Sequence, residues 1–538
     1  MTMHSEKRST VWCVGGVDSS GGAGITRDAI TLADLDVHAC AITTQITVQS
    51  NTMMVNSVPV RASILNEQWQ VLEHEGTPAA IKIGAIANDE QALLLCTRIQ
   101  SMQTPRPFVV WDPVLRTSTG AMLTDLSEST ISTLVSTVDL ITPNTDELCE
   151  LTGLSVNSTE TLQAAAHALL EGDANAILVK GGHAQWQHTV NDYFITSGYF
   201  RVFQQPRNAY GRLRGTGCML SSALCAFIVN GYDIDDALTL ANAYVMHVRE
   251  KSVSSLYPAS LFATPLCSTS LSNTARPSNT VNLSNSTHLA RTSGFPEQSA
   301  LFPAVFSSCA EYQHFQQQRC GNHENCKINT APFAPLTNEN MGIYPVVDSI
   351  DWIKMLLPTG VKVIQLRVKE GSPQYIADQI KEAVSITQNT QCQLFINDYW
   401  ELAIEFGAYG VHLGQEDIDK ADLRAIQKAG LRLGLSTHGY AEIQRIKALQ
   451  PSYIALGHIF PTTTKSMPSQ PQGVKRLAKY VALCKPTPTV AIGGIDFDSI
   501  RDVAATGVNS IAMVTAITRA EKPVSAFKLL SKEAGFVN

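Results

Sequence analysis

The sequence predicts an α/β protein of two domains: an open, mostly parallel sheet covered by helices, then a (β/α)8 TIM barrel. Three observations carry this. The 538 residues exceed what one hydrophobic core usually serves. Over roughly the first 250 residues, short apolar runs alternate with helix-compatible stretches, the pattern of a three-layer α/β/α domain. Over roughly the last 200 residues, the same strand–helix unit recurs eight times, which is a compact barrel.

The first domain, residues 1–253, has strand candidates at Val11–Val14, Ala39–Thr43, Ala80–Ile83, Phe108–Trp111, Leu140–Thr142 and Ala176–Val179, with helical stretches such as Thr161–Leu170 between them. Residues 254–340 are rich in Ser, Thr, Asn, Pro and Gln. So polar a segment buries too little apolar surface to offset ordering entropy. It reads as a linker with a short docked piece around Leu301–Phe306. The second domain, residues 341–538, has strand candidates at Ile343–Val347, Val363–Leu366, Leu394–Ile396, Gly410–Leu413, Arg432–Leu435, Tyr453–Leu456, Thr489–Ile492 and Ser510–Val514.

Composition narrows the function classes. A net charge of −7 argues against nucleic-acid and acidic-membrane partners but leaves room for local anion sites. No apolar stretch reaches the roughly 18 residues of a membrane span, and the polar start MTMHSEKRST lacks a signal core. Twelve scattered Cys residues argue against a disulfide framework and for a reducing cytoplasm. Cys320-Gly-Asn-His323-Glu-Asn-Cys326 could hold a metal, or be a polar linker that happens to contain two Cys. Small-molecule substrates are the expected partners, and a homo-oligomer is left open.

In the first domain, two Gly-rich segments stand out. Gly15 to Gly24 follows a strand; its glycines admit close approach to a ligand, and Asp18 could accept hydrogen bonds, although a tight βα turn would look the same. Arg214-Gly215-Thr216-Gly217-Cys218 opens the helical stretch Met219–Val229. Unpaired N–H groups at a helix start form an anion site suited to a transferring phosphoryl group. Cys218 there is expected to have a lowered thiol pKa and could act as a base. Between these segments, Asp112, Asn144, Glu147 and Lys180 follow strands, at the sheet edge where ligands bind. Asn144 and Glu147, three apart, could share a face toward magnesium and phosphate.

The barrel's strand ends carry anion chemistry. Gln365, Arg367 and Lys369 alternate onto one side and suit a pyrophosphate. Asp398 and Asp417, on adjacent strand ends, could share Mg2+, while Glu416 diverges from its neighbour. Pro461-Thr462-Thr463-Thr464-Lys465 reads as a phosphate-binding lid. Gly493-Gly494 and Val514-Thr515 end the last two strands, a frequent phosphate position. No conventional nucleophile–base pair is evident.

Taken together, GVDSSGGAGITRD, KIGAI, WDPVLRTSTG, ITPNTDELCEL, LVKGGH and RGTGCMLSSAL resemble hydroxymethylpyrimidine/phosphomethylpyrimidine kinases of the ribokinase-like superfamily over about residues 10–250. The resemblance implies ATP-dependent phosphorylation of hydroxymethylpyrimidine and then of its monophosphate. It places Asp18 and Gln49 on the pyrimidine, Asn144 and Glu147 at magnesium and phosphate, and Lys180 at phosphate or nucleotide. Gly215, Gly217 and Cys218 would form the anion hole, with Cys218 as base. The chain departs from the family pattern at Ser19 (usually Pro), at Arg212-Leu213-Arg214 (usually Asn-Thr-His) and around Gln49 (VQSN for AQNT). A pyridoxine-type or catalytically decayed kinase is the alternative. QLRVK, FINDYW, GVHLGQED, GLSTH, ALGHIFPTTTK, TVAIGGI and AMVTAI resemble thiamine-phosphate synthases over about residues 342–522. That family joins the pyrimidine pyrophosphate to a thiazole phosphate: pyrophosphate leaves, a stabilised pyrimidine cation forms, and the thiazole nitrogen attacks. The resemblance assigns Gln365, Arg367, Lys369, Asn397, Ser436 and Lys465 to the pyrimidine pyrophosphate. It assigns Asp398 and Asp417 to Mg2+, and Thr462, Thr464, Gly494, Val514 and Thr515 to the thiazole phosphate.

Overall fold

A computed structural model describes residues 9–50, 53–116, 120, 122–207, 213–256, 294–308, 332–462 and 470–536. The chain divides into two compact units, Met1–Pro296 with Ala300–Gln313, and Glu297–Ser299 with His314–Asn538.

The first unit is built on a ten-stranded sheet. Its parallel centre runs β2 (His38–Gln49), β1 (Thr10–Asp18), then β4 (Ala80–Ile83), β5 (Phe108–Trp111), β6 (Leu140–Ile141) and β7 (Ile177–Val179). Of these, β4, β5, β6 and β7 are short, fully or nearly fully buried runs, as expected of strands covered on both faces, whereas β2 leaves Ile46 and Val48 exposed. Antiparallel strands complete both edges: β3 (Met54–Pro59) beside β2, and β8 (Thr189–Ile195), β9 (Phe200–Pro206) and β10 (Ala304–Phe306) beyond β7. No strand is expected from the sequence at β3, β8 or β9. β8 carries Asn191 and Asp192, polar residues that resemble a loop. Inside the sheet they are satisfied: the Asp192 carboxylate accepts from Gly181 N at 2.9 Å, and Asn191 Oδ1 from Gln204 Nε2 at 3.1 Å.

Parts of the polar segment 254–340 are built into the units. Leu301, Phe302, Val305 and Phe306 are buried beside the first sheet. Phe333 and Leu336 are buried in the second unit, where Thr337 N donates to the Tyr409 hydroxyl at 2.7 Å. Cys320, His323 and Cys326 lie outside the described residues.

The second unit is a closed, all-parallel barrel of β11 (Gly342–Val347), β12 (Val363–Leu366), β13 (Gln393–Asn397), β14 (Gly410–Leu413), β15 (Arg432–Thr437), β16 (Tyr453–Leu456), β17 (Thr489–Ile492) and β18 (Ser510–Met513). Tyr344, Val346, Val363, Phe395, Tyr453, Ala455, Val490 and Ala512 fill it, with Leu336 and Met341 packed in at the N-terminal end. The rings of Phe395 and Tyr453 meet edge to face at 5.0 Å. Gly434 has to be small: a Cβ there would come within 2.4 Å of the Tyr453 hydroxyl. Burying each large apolar side chain contributes about 1.5–3 kcal/mol. Every βα loop therefore opens on one rim of a rigid cylinder.

Candidate active sites

In the first unit, the two Gly-rich segments touch. Gly215 has φ +72°, and a Cβ there would lie 2.2 Å from the Gly22 carbonyl oxygen. Only glycine fits, so the first loop is clamped against the start of the helix Thr216–Val229. Gly217 faces the opposite side, where a Cβ would meet Lys180 Nζ at 3.2 Å. Lys180 donates to Asp112, which is buried and also accepts from the Thr142 hydroxyl at 3.2 Å. Burial pushes Asp112 up, but Lys180, Lys82 and its hydrogen bonds outweigh that and hold it below the usual carboxylate range.

Asn144 and Glu147 form the capping box of the helix Thr145–Thr152. Glu147 Oε2 accepts from Asn144 N at 2.7 Å and lies 3.7 Å from Lys180 Nζ. Burial, reinforced by Asp112, pushes Glu147 up to about 7 against the pull of Lys180. Thus Asn144, Glu147, Lys180, Asp112 and Gly217 form one cluster.

At the other side, Asp18 ends β1 with its carboxylate buried. Oδ1 accepts from Ser20 N and Oγ, both at 2.8 Å. Gln49 ends β2. Arg214 reaches both, with Nη2 3.3 Å from Asp18 Oδ2 and 3.2 Å from Gln49 Oε1.

One expectation is corrected. The Cys218 thiol was expected to be acidified by the helix start. Burial instead pushes it up to about 11, with Asp28 and Asp112 adding to burial and Lys82 only partly opposing it. Cys218 is a neutral thiol at pH 7, because the low-dielectric surroundings penalise the thiolate more than the helix end favours it. Beneath it lies the buried Lys82–Asp28 pair at 3.0 Å, with Ser222 Oγ donating to Asp28 at 2.8 Å. Asp28, Lys82 and Arg27 lie within GITRD and KIGAI, where nothing in the local sequence signals that they meet.

In the barrel, Gln365, Asn397, Ser436, Asp398 and Asp417 all sit on the C-terminal rim or just inside it. Gln365 is buried and Arg367 half-buried, while Lys369 is exposed, so the alternating triplet climbs from interior to rim. A polar network covers the aromatic layer. The Tyr344 and Tyr453 hydroxyls are 3.0 Å apart, Tyr453 meets His412 Nδ1 at 2.7 Å, and His412 Nε2 meets Ser436 Oγ at 2.8 Å. Burial lowers His412 to about 4, and nearby Arg367 adds to this, so His412 is neutral and holds the Ser436 hydroxyl by hydrogen bonding. This network was unread because its members come from β11, β14, β15 and β16.

Asp398, directly after β13, is exposed and has φ +66°, an uncommon backbone for a residue with a side chain. Asp417 is half-buried after β14, and Glu416 is exposed. The two carboxylates are hard oxygen donors on neighbouring rims, a set that fits Mg2+ completed by substrate oxygens and water. Gly494, with φ +65°, packs against the chain before Thr462: a Cβ would lie 2.4 Å from the Pro461 carbonyl oxygen. Thr462, Gly494, Val514 and Thr515 therefore belong to the neighbouring loops of β16, β17 and β18. Thr464 and Lys465 lie outside the described residues.

Residues 337–517 match the family model for thiamine monophosphate synthase. The barrel is 58% identical over 194 residues to a thiamine-phosphate synthase of Photorhabdus laumondii, spanning 36% of this chain and 89% of that protein. The chain belongs to the thiamine-phosphate synthase family. A synthase of Pectobacterium atrosepticum is likewise 58% identical over 193 residues, 36% of this chain and 90% of that protein. Ahead of the synthase barrel, residues 18–257 match the family model for phosphomethylpyrimidine kinase. A phosphomethylpyrimidine kinase of Clostridium difficile is 26% identical over 44% of this chain and 98% of that one, with a TM-score of 0.39. The chain is a bifunctional transferase of thiamine biosynthesis, a pyrimidine kinase followed by a synthase. The kinase match favours this over the pyridoxine-type or decayed alternative. Among the described residues, no helix is long and apolar enough to cross a membrane.

Proposed function

We propose that the two sites act in sequence through the residues grouped above. In the kinase domain, Asp18 and Gln49 face the pyrimidine, and the backbone of Gly215 and Gly217 takes up charge on the transferring phosphoryl group of ATP. Lys180, paired with Asp112, contacts phosphate, while Asn144 and Glu147 face the magnesium–phosphate side. Cys218 acts as base only through its thiolate, the minor form at neutral pH, which takes the substrate hydroxyl's proton to become the thiol as the phosphoryl group is transferred. The clamping of Gly215 against Gly22 carries this reading, because it joins the acceptor loop to the anion hole with no room for other residues.

In the synthase, Gln365, Arg367, Lys369, Asn397, Ser436 and Lys465 hold the pyrimidine pyrophosphate. Thr462, Thr464, Gly494, Val514 and Thr515 hold the thiazole phosphate. Asp398 and Asp417 would hold Mg2+, which supplies charge neutralisation for the departing pyrophosphate. Arg367 and Lys369 draw the pyrophosphate away, and both ring nitrogens of His412 are engaged, with the Tyr453 and Ser436 hydroxyls, so its imidazole is not offered to the pyrimidine cation. The described cysteines are free thiols, which fits a cytoplasmic enzyme.

The test supplies hydroxymethylpyrimidine, thiazole phosphate, ATP and Mg2+ and follows thiamine phosphate and pyrophosphate. Absence of ATP-dependent turnover of both pyrimidines rejects the kinase half. Absence of condensation from added pyrimidine pyrophosphate rejects the synthase half.

A further inference from the structure

Arg214 stands at the start of the anion hole, one residue before Gly215, and its side chain is tied down on four sides. Nη1 donates to Ser20 Oγ at 3.3 Å and to the Ser50 carbonyl at 2.7 Å. Nη2 donates to Gln49 Oε1 at 3.2 Å and lies 3.3 Å from Asp18 Oδ2. Its side chain is 14% exposed and that of Asp18 1%. A second guanidinium lies behind it. Arg27 is 2% exposed, its Cγ would meet a Cβ on Gly215 at 3.4 Å, and its Nε has no hydrogen-bond partner. Among the described residues no carboxylate pairs with Arg27. Asp18 and Asp28 attract it at longer range without forming an ion pair, so its charge is only partly offset and adds positive potential beside the hole.

The consequence is a change of sign in the acceptor pocket. Asp18 without Arg214 would be a buried negative charge beside the anion hole. A neutral alcohol tolerates that; a phosphomonoester, carrying close to two negative charges, is repelled. Arg214 neutralises Asp18, and Arg27 adds a further positive charge. Arg214 also occupies the Gln49 oxygen, leaving the Gln49 amide N–H2 and the Arg214 Nε–H as donors. The pocket is thus donor-rich and cationic, matched to an acceptor substrate that is already phosphorylated.

We propose that Arg214 is a specificity-determining residue that biases the kinase toward the second phosphorylation, with the pyrimidine phosphomonoester as preferred acceptor. This rests on the reading of Asp18 and Gln49 as the pyrimidine pocket. In the step, an oxygen of the monoester attacks the γ-phosphorus of ATP, a P–O bond forms, and ADP leaves with the electrons of the broken bond.

The test measures ATP-dependent phosphorylation by the full chain, with hydroxymethylpyrimidine and phosphomethylpyrimidine supplied separately as acceptors, for the wild type, Arg214→Gln and Arg214→Lys. The wild type should show the higher kcat/KM on the monophosphate. In Arg214→Gln the ratio of monophosphate to alcohol kcat/KM should fall about tenfold or more, mostly through KM for the monophosphate. Arg214→Lys, which keeps the charge and tests the idea should the glutamine variant misfold, should keep most of the ratio. An unchanged ratio in Arg214→Gln, or a ratio lost equally in Arg214→Lys, overturns the inference while leaving the kinase reading intact. A wild type inactive on both acceptors overturns the pocket reading itself.

Discussion

Replacing Lys82 by Met tests the foundation of the kinase site. Lys82 and Asp28 are each 1% exposed and 3.0 Å apart, and among the described residues Asp28 has only Ser222 as a further side-chain donor. Removing one member of such a pair strands the other charge and costs about 3–5 kcal/mol. In a domain of roughly 250 residues each kcal/mol moves Tm by about 2–4 °C, so the kinase transition should fall by about 6–20 °C. Calorimetry of the full chain reads this, the kinase transition being the one that ATP raises. The deficit should also depend on pH. Burial already raises Asp28, and loss of Lys82 raises it further. Its folded pKa then exceeds the unfolded value of about 3.9, so the penalty is small at low pH and grows as pH climbs through the folded pKa. The loss should be smaller at pH 5 than at pH 8. Lys82→Met with Asp28→Leu removes both charges and should recover at least half the lost Tm. A fall below about 2 °C, or a double variant as unstable as the single one, would refute the reasoning.

Asp398→Ala should abolish condensation and leave phosphorylation intact; loss of both activities would contradict independent sites. Cys218→Ala should cut phosphorylation about 10²-fold or more with KM for ATP within about threefold, and unchanged turnover dismisses Cys218 from the chemistry. Glu147, raised to about 7, takes up its charge only as pH rises through that value. KM for ATP should therefore drop between pH 6 and 8, and a Glu147→Gln enzyme with the same pH profile would remove Glu147 from the nucleotide site. Folding lowers His412 to about 4 from an unfolded value near 6.5. Its contribution is present above pH 6.5 and shrinks as pH falls toward 4, by about 2 kcal/mol at pH 5. Urea unfolding of the barrel at pH 7 and 5 should show that loss in the wild type and not in His412→Gln.

Both fold classes were legible in the sequence because parallel strands buried on both faces are near-continuous apolar runs. Ile343–Val347 and Val363–Leu366 could be read that way, and turn residues after such runs mark the rim where ligands bind. The antiparallel edges were less legible. β8 buries Asn191 and Asp192, and only the partners that satisfy them, Gly181 and Gln204, make that tolerable.

By itself, then, the sequence determined the two domains, their order, and which loops carry glycines, carboxylates and cations toward the sites. Tertiary structure alone decided what those groups are chemically. Arg214 meets Gln49 and Ser20 across 165 and 194 residues of chain. His412 is neutral and Cys218 stays a thiol because each is desolvated by elements distant in sequence. Charge state depends on the dielectric and the counter-charges within a few ångströms, and those neighbours exist only once the chain has folded.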